Sequence, residues 1–155
     1  MSATTAEGRL AELGLTLPKP PAPMANYVPY KRDGNVLYLS GQGPRRADGG
    51  FYTGKVGAEV DVAQAYEHAK LVGLALLATA KDAAGGLENL EVLKVLGMVN
   101  GLPGFGEHPA VINGCSDLFV AVLGERGRHA RSAVGMGSLP MGITVEIEAI
   151  MRIMP

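Results

Sequence analysis

A chain of 155 residues and 16.1 kDa has the length of one domain with a real hydrophobic core. Fourteen Lys and Arg face fifteen Asp and Glu, giving a net charge of -1 and a pI near 6.3; no global field draws such a chain to nucleic acid or an anionic membrane. Hydrophobic residues make up 47% and aromatic ones only 5%, so the expected core is aliphatic and rich in alanine.

The longest strongly apolar run, Leu71 to Ala80, is far short of the roughly 20 residues needed to span a bilayer. Residues Met1 to Glu7 lack the basic-then-apolar layout of a signal peptide. The single cysteine excludes an intrachain disulfide. The cytoplasm is the expected compartment.

In chain order, Thr4 with Glu7 predicts a capping box on a short helix through Leu13, closed by Gly14. The stretch Leu17-Pro18-Lys19-Pro20-Pro21-Ala22-Pro23 cannot build helix or ladder hydrogen bonds and should run extended over the surface. Residues 1–23 are therefore expected to be an arm on a single domain spanning 24–155. Tyr27 to Lys31 and Val36 to Ser40 read as strands around an Asp33-Gly34 hairpin turn.

Asp61 with Gln64 predicts the cap of a long helix, whose apolar positions from Val62 to Ala83 recur at helical spacing before Gly85-Gly86. His68 falls on its exposed side. Leu90 to Val99 reads as a strand apolar on both faces, with Leu90, Val92, Leu96 and Met98 on one side and Leu93, Val95 and Val99 on the other. A glycine-rich loop leads to a second helix begun near Pro109, with Val111, Cys115, Leu118, Phe119 and Val122 as its buried stripe. Strands near 131–137 and 143–153 close the chain. The order β-β-α-β-α-β-β is an α+β pattern in which two helices cover one face of a sheet. The doubly apolar strand at 90–99 then predicts that a second copy covers the other face.

Arg131 opens the strand Arg131-Ser132-Ala133-Val134-Gly135, and after Leu139-Pro140-Met141-Gly142 comes the acidic strand Val145-Glu146-Ile147-Glu148. A guanidinium fork suits a small carboxylate, and a Glu can hold or activate water. These residues predict hydrolysis of something small and anionic. His68, His108 and His129 lack metal-ligand spacing, and Gly41-Gln42-Gly43 is followed by no Gly-Lys-Ser/Thr; neither a metal nor a cofactor is expected.

Ala130-Arg131-Ser132-Ala133-Val134, followed by Leu139-Pro140 and Val145-Glu146-Ile147-Glu148-Ala149, resembles the C-terminal signature of the Rid family of reactive-intermediate (enamine/imine) deaminases, also called the endoribonuclease L-PSP or translation-inhibitor family. Tyr27, Leu39-Ser40-Gly41-Gln42 and Asn113 support the resemblance, which spans roughly residues 25–154. It implies a chorismate-mutase-like α+β protomer, a homotrimer with clefts between subunits, and hydrolysis of 2-imino acids to 2-keto acids and ammonia. By motif position, Arg131 would bind the substrate carboxylate and Glu146 would orient or activate water. Asn113, Tyr27 and Ser40 would line the cleft, with Tyr27 reaching in from a neighbouring subunit.

The chain departs from the family at Ala133, where a cysteine is frequent, in the longer connection Gly101 to Pro109, and in its N-terminal arm. These departures leave open a non-catalytic trimer that binds small carboxylates. The older family name suggests an endoribonuclease, but the acidic balance and the lack of a basic, aromatic-interleaved patch argue against nucleic acid as a partner. Taken singly, each site residue also has an ordinary reading: Arg131 as a strand-edge ion pair, Glu146 and Glu148 as solvated charges, Tyr27 and Ser40 as strand packing, Asn113 as a helix-face polar group. Cys115 reads as core. His108 and His129 flank the second helix, where a surface position outweighs an approach to the cleft.

Overall fold

The computed structural model describes residues 5–155. The first helix, α1 (Ala6–Glu12), starts at Thr5, whose hydroxyl accepts the Gly8 N–H at 3.0 Å. The cap therefore falls one residue later than the expected Thr4, which lies outside the described residues. Ala6 and Leu10 of α1 are buried in the same core as the later elements, and Leu15 and Leu17 pack against it.

Strands β1 (Tyr30–Asp33) and β2 (Val36–Gln42) form an antiparallel hairpin. The first strand begins three residues after the expected Tyr27. Tyr27 is instead in a turn, donating its N–H to the Met24 carbonyl at 3.2 Å, and Pro29 has no N–H to give a ladder. Helix α2 (Val62–Ala84) carries the expected capping box: Asp61 accepts the Gln64 N–H at 2.8 Å while the Gln64 side chain accepts the Asp61 N–H at 3.0 Å. Strand β3 (Leu90–Val99), helix α3 (His108–Leu123), strand β4 (Ala130–Gly135) and strand β5 (Val145–Ile153) complete the order.

One five-stranded sheet results, in the order β1-β2-β5-β3-β4. Only β3 and β4 are parallel, as their connection through α3 requires. Helices α2 and α3 cover one face, over Leu37, Val95, Val99, Val145, Ile147 and Met151. They approach closely at Gly114, where an added Cβ would lie 2.0 Å from the Tyr66 carbonyl oxygen. Cys115 is fully buried beside this contact, and burial pushes its thiol pKa up, so it remains core.

The faces of β3 differ from the expected alternation. A register shift between Val92 and Lys94 adds one residue, so Leu90 and Val92 share the helix-covered face with Val95 and Val99. Leu96 and Met98 then face the other side. That side is partly covered by the chain itself, because Phe51, Met136, Leu139 and Ile143 pack on Met98 and Leu96. The expected second copy is therefore not the sole cover for that face. Farther along, Tyr38, Val134 and Ile150 remain exposed or half-exposed on it.

Candidate functional site

The sheet register determines where the two charged candidates point. Arg131 on β4 pairs with Val95 of β3, and Glu146 on β5 pairs with Met98 of β3. Val95 and Met98 are three residues apart on an unbroken stretch, so their side chains emerge on opposite faces. Within one protomer, Arg131 therefore lies on the helix side and Glu146 on the open side. The expectation that both face one cleft does not hold for a single copy of the chain, which carries two half-sites instead.

The first half-site sits under α3 at the β4 edge of the sheet. Arg131 donates through one terminal nitrogen, Nη1, to Asn113 Oδ1 at 2.8 Å and Ser116 Oγ at 3.1 Å. Asn113 and Ser116 are one helical turn apart and thus share a face of α3. Because Nη1 alone makes both bonds, the Nε/Nη2 edge has no protein acceptor among the described residues. That edge presents two parallel N–H donors at the spacing of a carboxylate.

Ser116 also links to His129 Nε2 at 2.9 Å, and His129 Nδ1 lies 2.6 Å from the Gly127 carbonyl. With Nδ1–H donating to that carbonyl, Nε2 accepts the Ser116 hydroxyl proton, and the serine oxygen accepts from Arg131. Burial pulls the His129 pKa down; the Gly127 bond opposes this and the Arg131 charge adds to it, which favours the neutral ring this chain of bonds requires. His129, expected at the surface, is in fact half-buried and part of the arginine's support. Ser116 was not among the residues read from the sequence. Its only signal was a spacing of three from Asn113.

The second half-site is a cavity of about 430 Å³ on the open side of the sheet, lined in part by Tyr27, Ser40, Arg45, Phe51 and Glu146. Three of the five sequence candidates meet here, while Asn113 and Arg131 belong to the other half-site. Ser40 donates its hydroxyl to the Val28 carbonyl at 2.6 Å and its N–H to the Pro29 carbonyl at 2.9 Å, tying the end of the arm to β2. At Gly41 an added Cβ would stand 3.0 Å from Glu146 Oε2, so the glycine makes room for the carboxylate. Burial first, then the charge of Glu148 on the same sheet face, raises the Glu146 pKa above its ordinary value. Perturbed carboxyls in a cleft are candidates for proton transfer.

Arg45 is the cation in this cavity. Its guanidinium lies 4.9 Å over the Phe51 ring and has no acidic partner among the described residues. Nothing in the sequence around Arg45 marked it. His68, read as solvated, is half-buried: its Nδ1 lies 2.9 Å from the hydroxyl of fully buried Thr144, and its ring stacks on Tyr52 at 4.3 Å between centroids. A buried hydroxyl needs a partner, and His68 supplies it. His108 is edge-on to Phe105 at 5.1 Å in the loop before α3 and belongs to neither half-site. Among the described residues, no group of three or more His, Cys, Asp or Glu could hold a metal, and no helix is long and apolar enough to cross a membrane.

Comparison with known proteins agrees with this architecture. A solved structure of a protein of unknown function from Agrobacterium tumefaciens is 49% identical, covering 96% of this chain and 92% of that one, with a TM-score of 0.87. Protein TCP17 of Trypanosoma cruzi is 40% identical over 154 residues, 96% of each chain. The structure of RidA from the Antarctic bacterium Psychrobacter is 33% identical over 87% of this chain and 94% of that one, with a TM-score of 0.60. The family described as YjgF/chorismate mutase-like, putative endoribonuclease matches residues 7–147. With a single mixed sheet, two helices across one face and this match over most of its length, the chain belongs to the YjgF/chorismate-mutase-like family, the Rid or L-PSP proteins.

Proposed function

We propose that the protein hydrolyses small 2-imino acids to 2-keto acids and ammonia at sites assembled between identical protomers. The observation that carries this reading is the free Nε/Nη2 edge of Arg131, held in place by Asn113 and Ser116. The edge would grip the substrate carboxylate in two parallel charge-assisted hydrogen bonds. Glu146 would take a proton from water as the oxygen attacks the imine carbon. That proton is returned to the nitrogen to give the carbinolamine, whose O–H proton then moves to the nitrogen, again through Glu146, as the C–N bond breaks and the C=O forms, releasing ammonia and the keto acid. An imine carbon is already electrophilic, so positioning and one proton-transfer partner account for the chemistry. The raised pKa of Glu146 suits a group that both accepts and returns a proton.

The two half-sites are completed by a neighbour. Strand β4 is an edge of the sheet, and the open face beside the Glu146 cavity presents Tyr38, Val134 and Ile150. Laying the β4 edge of one copy over the open face of the next is a heterologous contact. Repeated by rotation, it closes into a ring, and a homotrimer is the ring we propose. Arg131 of one protomer then meets Glu146, Tyr27 and Ser40 of another.

Arg45 favours a second reading, in which the carboxylate is held within one protomer's own cavity. Release of 2-aminoacrylate by a dehydratase, with keto acid formation followed over the uncatalysed rate, separates the two. The composite site expects Arg131→Ala to lower kcat/KM by about 10- to 100-fold. An unaffected Arg131→Ala beside an inactive Arg45→Ala would move the anchor to Arg45. No acceleration by the wild-type chain would refute the deaminase. Keto-acid binding that depends on Arg131, without turnover, would instead identify a small-carboxylate-binding protein.

A further inference from the structure

We infer that the segment Pro21–Tyr27 forms one wall of the substrate chamber and selects imino acids with a bulky aliphatic side chain over the smallest ones. This rests on the deaminase reading above and names the substrate class for it. Beside Glu146, the chamber is bounded by Pro21 and Ala22 from the arm and Met24 next to it, and by Phe51, Met141 and Ile143 from the other side. Its polar side chains are largely committed. The Ser40 hydroxyl donates to Val28 and the Gln42 amide donates to Thr79 at 3.0 Å, while Arg45 lies against Phe51 with its charge unpaired among the described residues. What remains facing the space, apart from Glu146, the Arg45 guanidinium and the Tyr27 ring, is apolar.

Size points the same way. About 430 Å³ lies within the range of pockets that enclose drug-sized molecules, far more than a three-carbon acid fills. Met24 is 58% exposed and Met141 is 70% exposed, and both line the chamber. Methionine is unbranched and adaptable, suited to closing around aliphatic groups of differing shape. Met141 is also held at φ +57°, a left-handed conformation that a side-chain-bearing residue seldom adopts. The Leu139-Pro140 turn holds that strained residue where its side chain lines the chamber rather than the core. The carboxylate and imine of any 2-imino acid are common to the series, so the apolar walls act on the side chain alone.

The test uses the full-length chain with imines released by an L-amino-acid oxidase from alanine, leucine, methionine and phenylalanine. Hydrolysis is followed as loss of trapped semicarbazone. Each enclosed methylene is worth about fourfold. The three extra carbons of the leucine-derived imine therefore predict a kcat/KM about 10- to 60-fold above that of the alanine-derived one, the lower figure reflecting incomplete enclosure. Met24→Ala and Met141→Ala should each reduce this ratio by about three- to eightfold, the two together accounting for most of it. Both positions are exposed, so neither change touches the core. A ratio at or below one, or a ratio unmoved by both substitutions, overturns the inference while leaving the deaminase reading intact. Calorimetry with 4-methyl-2-oxopentanoate and pyruvate reads the chamber without turnover: tighter binding of the larger acid, weakened by Met24→Ala, is expected. Equal binding would refute the chamber's selectivity even if no imine is hydrolysed, whereas selective binding with no hydrolysis would refute only the deaminase.

Discussion

Two impaired variants, mixed, should regain activity. Arg131 and Glu146 leave the sheet on opposite faces, so a working site would take one from each of two protomers. Arg131→Ala removes a charge-assisted carboxylate clamp, a loss of about 10- to 100-fold. Glu146→Gln removes the proton acceptor, a loss of about 10²- to 10⁴-fold. Purification through both tags removes the unmixed rings. Every mixed trimer, of either 2:1 composition, carries one interface in three that combines an intact Arg131 with an intact Glu146, so about a third of wild-type activity is expected. Coexpression with two different tags, purification through both, and the imine hydrolysis assay provide the measurement. Native mass spectrometry would verify that the subunits have mixed. Hybrids no more active than their parents would refute the composite site.

Other outcomes follow from the same geometry. The acid limb of kcat/KM should lie above the ordinary carboxylate range, because burial and Glu148 raise the Glu146 pKa; Glu148→Gln removes a like charge, and a pH profile should show the limb moving to lower pH. His129 titrates the other way: its depressed pKa means that the unfolded chain takes up the proton first as pH falls. Stability should therefore decline below the ordinary histidine range, and denaturant melts of wild type and His129→Asn should converge there. Gly114→Ala should destabilise the fold by about 3 kcal/mol, because its Cβ meets the Tyr66 carbonyl and not a flexible side chain. Thermal melts should then show a Tm lower by about 10 °C. Ile150→Asp places a charge on the open sheet face, and sedimentation should report smaller species together with lost activity.

Much of the architecture was legible in the sequence because local rules agreed with one another. The Asp61 and Gln64 cap and the helical spacing from Val62 to Ala83 act over a few residues, and the helix forms where they place it; the hairpin turn falls at Gly34-Asn35, one residue after the expected Asp33-Gly34, because Asp33 pairs with Val36. The motif around Arg131 and Glu146 was also readable, as were the polar residues Tyr27, Ser40 and Asn113 that accompany it.

What the sequence by itself determined is thus the order of elements, the α+β class and the chemistry on offer: a guanidinium, a pair of carboxylates and no metal-binding spacing. Only the tertiary structure decided which of these groups stand together. A single inserted residue at Val92 to Lys94 reversed half of β3, and the three-residue offset between Val95 and Met98 sent Arg131 and Glu146 to opposite faces. Ser116 and His129 joined Arg131, and Arg45 joined Glu146, through approaches between segments far apart in the chain. Periodicity fixes the face of a residue relative to its own strand. Strand order and register fix it relative to every other strand, and those depend on long-range pairing that no local pattern encodes.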